Sequence, residues 1–189
     1  MTGGRMTTNV EREIKLRFES ADAAREAMAA VRATPHRERR LQDDTLFDWP
    51  DRRLAQAHQL LRVRQELGTA TLTFKGAPQS DTMKVREEIE TTVGDAVSLL
   101  AMLNRLGLHA WFRYQKYREE YTRGDVVLAV DETPVGTFAE LEGDEHGIIA
   151  LASEMGREQG DYILDSYRGL FLKEREAQGL GMVDMVFEA

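Results

Sequence analysis

Charged residues in this chain recur two positions apart: Glu11 and Glu13, Arg62 and Arg64, Lys116 and Arg118, Glu140 and Glu142, with Glu88 and Glu90 in the same rhythm as Arg86. In an extended strand such a spacing puts both side chains on one face. Lys15 continues the face of Glu11 and Glu13, Lys75 ends an alternating run, and Asp131 closes an apolar one. Arginine forks bind phosphate oxygens bidentately and lysine acts as a point charge. Clustered carboxylates suit a hard divalent cation such as magnesium or manganese. Polyphosphate together with a metal answers both halves of the pattern. Solvated strand faces carrying mutual ion pairs are the plainer reading, and any one strand fits it alone.

The recurrence across strands weighs the other way. Opposite the charged face of the first strand stand Val10, Ile14, Leu16 and Phe18, interrupted only by Arg12. Alternation of the same kind reads as strands over 42–48, 59–65, 70–75, 83–91, 112–121, 126–131 and 137–142, with a tight hairpin at Gly68-Thr69. Helices are expected from Ala21 to Val31 behind a Ser20 cap, and from Asp95 to Leu106 with Gly107 as C-terminal cap. Two more are expected from Gly147 to Met155 and from Asp161 to Ala177. Pro35 and the basic residues His36 to Arg40 read as solvated loop. About eight strands, mostly joined by hairpins, favour an α+β fold: an eight-stranded antiparallel barrel with flanking helices and no open edge. Too few helices exist to cover both faces of such a sheet, so the apolar faces pack outward against them and the charged faces line the lumen. Unpaired charges cannot sit in a dry core. The lumen therefore holds water, ions or a highly charged ligand, with mutual salt bridges satisfying part of it.

At 189 residues the chain suits one domain. We expect residues 1–8 to be a disordered N-terminus, 9–178 the domain and 179–189 a tail. A net charge of −8 argues against a nucleic-acid partner. There is no cysteine, hence no thiolate metal site or nucleophile. The lack of a long apolar run or leader makes a cytoplasmic protein without a membrane partner the expectation. The histidines His36, His58, His109 and His146 are scattered without ligand spacing. Met28, Met102 and Met155 read as core. Trp49 and Trp111 read as packing residues, with Trp49 the candidate for a tunnel mouth.

Glu11-x-Glu13-x-Lys15 resembles the ExExK signature of the CYTH superfamily, the triphosphate tunnel metalloenzymes. The resemblance continues in order through Asp44-Thr45-Leu46-Phe47-Asp48, Leu61-Arg62-Val63-Arg64, Thr73-Phe74-Lys75-Gly76, Arg86-Glu87-Glu88, Lys116-x-Arg118, Asp131, Glu140-Leu141-Glu142-Gly143 and Ser166-Tyr167. It implies a tunnel holding a triphosphate. Glu11, Glu13, Glu140 and Glu142 would bind Mg2+ or Mn2+, with Asp131 as ligand or behind the ligands. Lys15, Arg62, Arg64, Lys75, Lys116 and Arg118 would grip phosphates; Arg86, Glu88 and Glu90 share the face with less definite roles. Lys15, Lys75 and Glu13 are the expected catalytic residues. The partner implied is a small-molecule triphosphate or inorganic polyphosphate, and a homodimer stays open. Hydrolysis of tripolyphosphate or a small organic triphosphate, such as thiamine triphosphate or a nucleoside triphosphate, is the first expectation. A class IV adenylyl cyclase making cyclic AMP and pyrophosphate is the second, and a non-catalytic polyphosphate or nucleotide sensor the third.

Overall fold

The strand β1 (Asn9–Phe18) holds the barrel shut because it has two partners. Its first half, through Glu13, pairs with β5 (Lys84–Val93), and its second half, from Glu13 onward, with β8 (Gly136–Glu142). The rest of the wall is β4 (Thr69–Lys75), β3 (Leu60–Glu66), β2 (Thr34–Asp48), β6 (His109–Arg123) and β7 (Val126–Thr133), giving the closed order β1-β5-β4-β3-β2-β6-β7-β8. Every ladder is antiparallel. This is a computed structural model, and it describes residues 9–79, 82–181 and 183–188. The stretch Met1 to Thr8, expected to be disordered, lies outside them.

Local chemistry explains the connections. Leu67 and Gly68 both adopt positive φ (49° and 79°), the backbone that matches a tight turn to the twist of β3 and β4. Ser20 and Asp95 cap α1 (Ala21–Ala30) and α3 (Ala96–Arg105) by accepting from the backbone N–H groups of Ala23 and Ser98. Gly107 takes the left-handed conformation (φ 87°) that ends α3. Asp144 caps α4 (Glu145–Glu154) in the same way.

The apolar strand faces point outward and are covered there. Ile14, Leu16, Leu128, Val130, Ala139 and Leu141 form one cluster with Ala24 and Met28 of α1 and Ile148, Leu151 and Ala152 of α4. Phe47 and Val63 pack with Leu99 and Leu103 of α3 and with Leu108 beyond it. A third cluster differs, because Leu46, Phe112 and Phe138 are on the lumen parity of their strands. They meet Tyr167 and Phe171 of α5 (Tyr167–Ala177) and Met185. The lumen face thus turns apolar at one end, where α5 lies. At the opposite end of β2, β3 and β6 it carries Arg40, bonded to Glu120 at 2.6 Å and Glu66 at 3.0 Å. No helix among the described residues is long and apolar enough to cross a membrane.

Several local expectations are corrected. The basic stretch His36 to Arg40 is not a loop: β2 begins at Thr34 and passes through it with register shifts against β6. Its arginines find partners on neighbouring strands, Arg37 with Glu66, Arg39 with Glu132, and Arg40 as above. The last helix starts at Tyr167, not Asp161. Gln159–Asp161 is a 3-10 turn, and Ile163 exchanges both backbone hydrogen bonds with Lys15 (2.9 and 3.2 Å) before Ser166 caps α5. A short helix α2 (Arg53–Gln56) had no periodic signal; the Asp48 carboxylate organises it by accepting from the N–H groups of Trp49, Leu54 and Ala55. Met102 is 56% exposed rather than core, whereas Met185 in the expected tail is fully buried.

Stability should therefore depend on the outside of the barrel. Ile14→Ala deletes a fully buried side chain and is expected to cost about 2–5 kcal/mol. Urea denaturation followed by circular dichroism checks this.

Candidate active site in the barrel lumen

The lumen is a cavity of about 1000 Å3 lined by β1 to β6 and β8, by residues of and after α2, and at one end by 164–168 at the head of α5. Strand parity delivers Glu11, Glu13, Lys15, Arg62, Arg64, Lys75, Arg86, Glu88, Glu90, Lys116, Arg118, Glu140 and Glu142 to it. These are the residues singled out from the sequence, Asp131 excepted.

Their charges interlock. Lys75 donates to both oxygens of Glu11 (2.6 and 2.7 Å) and reaches Glu88 at 3.0 Å. Arg86 stands 3.5 Å from Glu11. Lys15 bridges β1 and β8, bonding Glu13 at 2.9 Å and Glu140 at 3.1 Å. On the far wall Arg64 grips Asp44 with two bonds (2.8 and 2.9 Å). Arg62 donates to Thr73 at 3.2 Å and stands 3.8 Å from both Glu88 and Glu90.

Asp131 shares the lumen face of β7, directly opposite Arg118, but does not reach the cavity surface. It is fully buried, accepting from Lys116 at 2.8 Å, from Arg118 Nε at 2.7 Å and from the Tyr167 hydroxyl at 2.6 Å. With its oxygens taken, it orients the two cations of β6 and ties α5 to the wall. Arg118 also pairs with Glu140.

The electrostatics follow from burial set against partners. Burial opposes ionisation of Glu13, but Lys15 and then Lys84 outweigh it and hold its pKa well below the usual carboxylate range. Burial likewise opposes the charge on Asp44, and Arg64 and Arg62 overcome it. For Glu11 burial wins over Lys75 and the pKa rises. Lys116 is brought down to about 8 by burial, then by Arg118, against the pull of Asp131. Lys84 is brought down to about 8 by burial, despite Glu13. Glu142 opens to the cavity yet has protein on most sides; loss of hydration and then Glu11 push it up to about 7.

Some participants escaped the sequence reading. Lys84 lines the lumen and bonds Glu13; its parity with Arg86 was visible, but its place at the β1–β5 junction was not. Asp44 stands among the quoted motifs without a role, which Arg64 supplies. Tyr114 and Tyr167 line the cavity too. Of the two tryptophans Trp111, not Trp49, lies on the cavity wall, while Trp49 packs beside the α3 cluster. His58 lines the same end.

Among the described residues no three acidic or histidine side chains converge as they stand on one coordination point. The donor set nonetheless fits a hard cation. Glu11, Glu13, Glu140 and Glu142 are all oxygen donors on adjacent strands, with Glu13 directly opposite Glu142 in the ladder. The rise in Glu142 comes first from lost hydration and then from the neighbouring Glu11, which Lys75 only partly offsets.

A CYTH domain model matches residues 9–176, so the chain belongs to the CYTH family. A curated relative from Methanocaldococcus jannaschii, named "Putative adenylate cyclase MJ0240", is 28% identical over 134 residues, covering 70% of this chain and 76% of that protein. Among solved structures, one from Vibrio parahaemolyticus described as a putative adenylate cyclase superposes with a TM-score of 0.77 at 23% identity, covering 88% of this chain and 99% of that one. PH1819 of Pyrococcus horikoshii gives 0.70 at 27% identity, with 87% and 99% covered. HpAC1 from Hippeastrum, described as a putative adenylyl cyclase with a dominant triphosphatase activity, gives 0.64 at 18% identity, with 92% and 97% covered.

Two outcomes are expected. Asp131→Ala strands two buried cations and should destabilise the protein by about 3–5 kcal/mol, measured by denaturant titration. The cationic forms of Lys84 and Lys116 persist only below pH of about 8. Metal-free affinity for tripolyphosphate should therefore fall as pH rises through that value, and Lys116→Met should shorten the alkaline limb in calorimetric titrations.

Proposed function

We propose that this protein is a divalent-metal-dependent triphosphatase acting on tripolyphosphate or a small organic triphosphate. The observation that carries the reading is the division of one cavity into walls. Arg62 and Arg64 on β3, Lys75 on β4, and Lys116 and Arg118 on β6 offer donors to phosphate oxygens. Glu11 and Glu13 on β1 and Glu140 and Glu142 on β8 offer oxygens to a cation. A pure anion binder gains nothing from acids in its lumen, which weighs against a sensor without turnover.

The residues divide the work. Phosphoryl transfer depends on positioning and charge neutralisation more than on covalent catalysis. Arg64, held by Asp44, and Arg118, held by Asp131, are fixed forks that orient phosphate oxygens. Lys15 and Lys75 stand where acid and cation walls meet and neutralise charge developing on the bridging oxygen. Mg2+ or Mn2+ held by Glu11, Glu13, Glu140 and Glu142 would supply Lewis-acid polarisation of a phosphate oxygen. Hydrolysis forms one P–O bond to a water oxygen, breaks the terminal P–O–P bridge and releases orthophosphate.

A second reading, an adenylyl cyclase, is favoured by one observation. Leu46, Leu60 and Trp111 line the α5 end of the cavity and offer apolar surface against which a nucleoside could pack. The names of the Methanocaldococcus and Vibrio relatives point the same way, and the description of HpAC1 points to triphosphatase. There the ribose 3′-hydroxyl would attack the α-phosphorus and pyrophosphate would leave.

Product analysis separates the two. Protein is incubated with tripolyphosphate, ATP or thiamine triphosphate and Mg2+ or Mn2+, and products are read by phosphorus NMR and chromatography. Orthophosphate is expected; pyrophosphate with cyclic AMP would establish the cyclase, and tight binding without turnover a sensor. Glu13→Ala should abolish metal-dependent turnover with the circular dichroism spectrum retained. Lys75→Ala should raise KM about tenfold or more through loss of a charge-assisted phosphate contact.

A further inference from the structure

At the α5 end of the cavity two guanidinium groups stand outside the ion-pair scheme of the lumen. Arg168, in the first turn of α5, lies over the Trp111 ring, 4.5 Å from its centroid, and 5.7 Å from that of Phe112. Arg52, just before α2, lies over the same indole at 3.4 Å. Arg168 and Trp111 line the cavity. The influences on the Arg168 charge are burial and then Arg52, both unfavourable, and no carboxylate among the described residues pairs with it. Arg52 reaches Asp48 only at 3.9 Å, and that carboxylate is already engaged by three backbone N–H groups. The Nε atoms of both arginines are buried without a hydrogen-bond partner among the described residues.

This arrangement is uncomfortable without a ligand. Two like charges share one aromatic ring. Both side chains are half-buried and keep part of their hydration. Cation–π contact is therefore set mainly against their mutual repulsion and the two buried Nε atoms. An indole face accepts charge but does not fill the N–H forks, which have donors and no acceptors of their own. A group with several anionic oxygens does both, and the fork geometry matches phosphate. The deeper cations contrast with this pair, since Lys15, Lys75, Arg64 and Arg118 each have a carboxylate in contact.

We propose that Arg168 and Arg52, seated on Trp111, form a phosphate subsite at the α5 end of the cavity, taking a phosphate group beyond the three held in the lumen. The subsite rests on the triphosphatase reading and extends it to substrate class. Its occupant is either the next phosphate of a longer inorganic polyphosphate or a free orthophosphate bound beside the triphosphate.

The test compares tripolyphosphate with tetrapolyphosphate on the full chain, in the wild type and in Arg168→Gln, Arg168→Lys and Arg52→Gln. Turnover is measured with Mg2+, and affinity by calorimetry without metal, so that binding is read independently of chemistry. If a fourth chain phosphate occupies the subsite, the tetrapolyphosphate-to-tripolyphosphate ratio of kcat/KM, and of affinity, falls about tenfold in Arg168→Gln. Arg168→Lys, keeping charge but losing the fork, falls in between. If free orthophosphate is the occupant, the ratio holds, and Arg168→Gln instead abolishes the phosphorus NMR broadening of orthophosphate added to the tripolyphosphate-loaded protein. Near-UV circular dichroism verifies folding, and Arg52→Gln carries the test if Arg168→Gln does not fold. Unchanged ratios together with unchanged orthophosphate binding overturn the proposal. Loss of the affinity ratio in a protein that hydrolyses neither polyphosphate nor ATP or thiamine triphosphate upholds the subsite and sinks the triphosphatase. No binding of either chain by the wild type overturns both.

Discussion

Counter-charge inside a closed barrel is the constraint on which the rest of this structure depends. A barrel lumen too polar to pack must neutralise each buried group locally, because an ion removed from water without a partner costs several kcal/mol. Here neutralisation runs mostly between strands, the Lys15–Glu13 pair along β1 apart. Lys75 of β4 meets Glu11 of β1, Lys15 of β1 meets Glu140 of β8, and Arg64 of β3 meets Asp44 of β2. Each bond therefore also fixes the relation of two strands. Glu13 is the extreme case, since its strand position faces Lys84 on one neighbour and Glu142 on the other at the place where the barrel closes.

Stabilisation is divided accordingly. Apolar burial sits outside, between strand faces and the helices α1, α3 and α4. The charged interior contributes shape and electrostatic field more than net stability, as buried ion pairs roughly break even against apolar packing. That separation leaves the lumen free to serve chemistry. Three of the four acids proposed to face a metal, Glu11, Glu13 and Glu140, are each held by a lysine. The same contacts tie β1 to β4 and β8 and so help hold the cavity in shape.

Membership of the CYTH family fixes the architecture and this charged tunnel, while the reaction depends on what lies at its ends. At one end of β2, β3 and β6 the lumen face carries Arg40 with Glu66 and Glu120. At the other, α5 brings Tyr167 to Asp131 and Arg168 to Trp111. One helix thus both completes the support of Arg118, through Tyr167 and Asp131, and brings Arg168 to the cavity.

Much of this was legible in the residues alone. Period-two alternation depends only on the pleat, so Glu11 with Glu13, Arg62 with Arg64 and Lys116 with Arg118 could be placed on shared faces without knowing any strand's neighbour. Closure and the charged interior followed from counting strands against helices. What the tertiary structure alone decided is which faces meet. Local pattern does not reveal that the arginines of His36 to Arg40 find acids on β3, β6 and β7, which extends a supposed loop into β2. Nor does it reveal that Asp131 is sealed off beneath Lys116, Arg118 and Tyr167, or that Lys84 reaches Glu13. It pointed to Trp49 for the tunnel mouth where Trp111 lines the cavity, because register and the docking of α5 set their surroundings. Parity is a property of one strand, whereas partnership is a property of the closed barrel. The sequence by itself therefore determined the kind of chemistry the lumen offers, and only the fold decided which charges are bound to one another and which remain for a ligand.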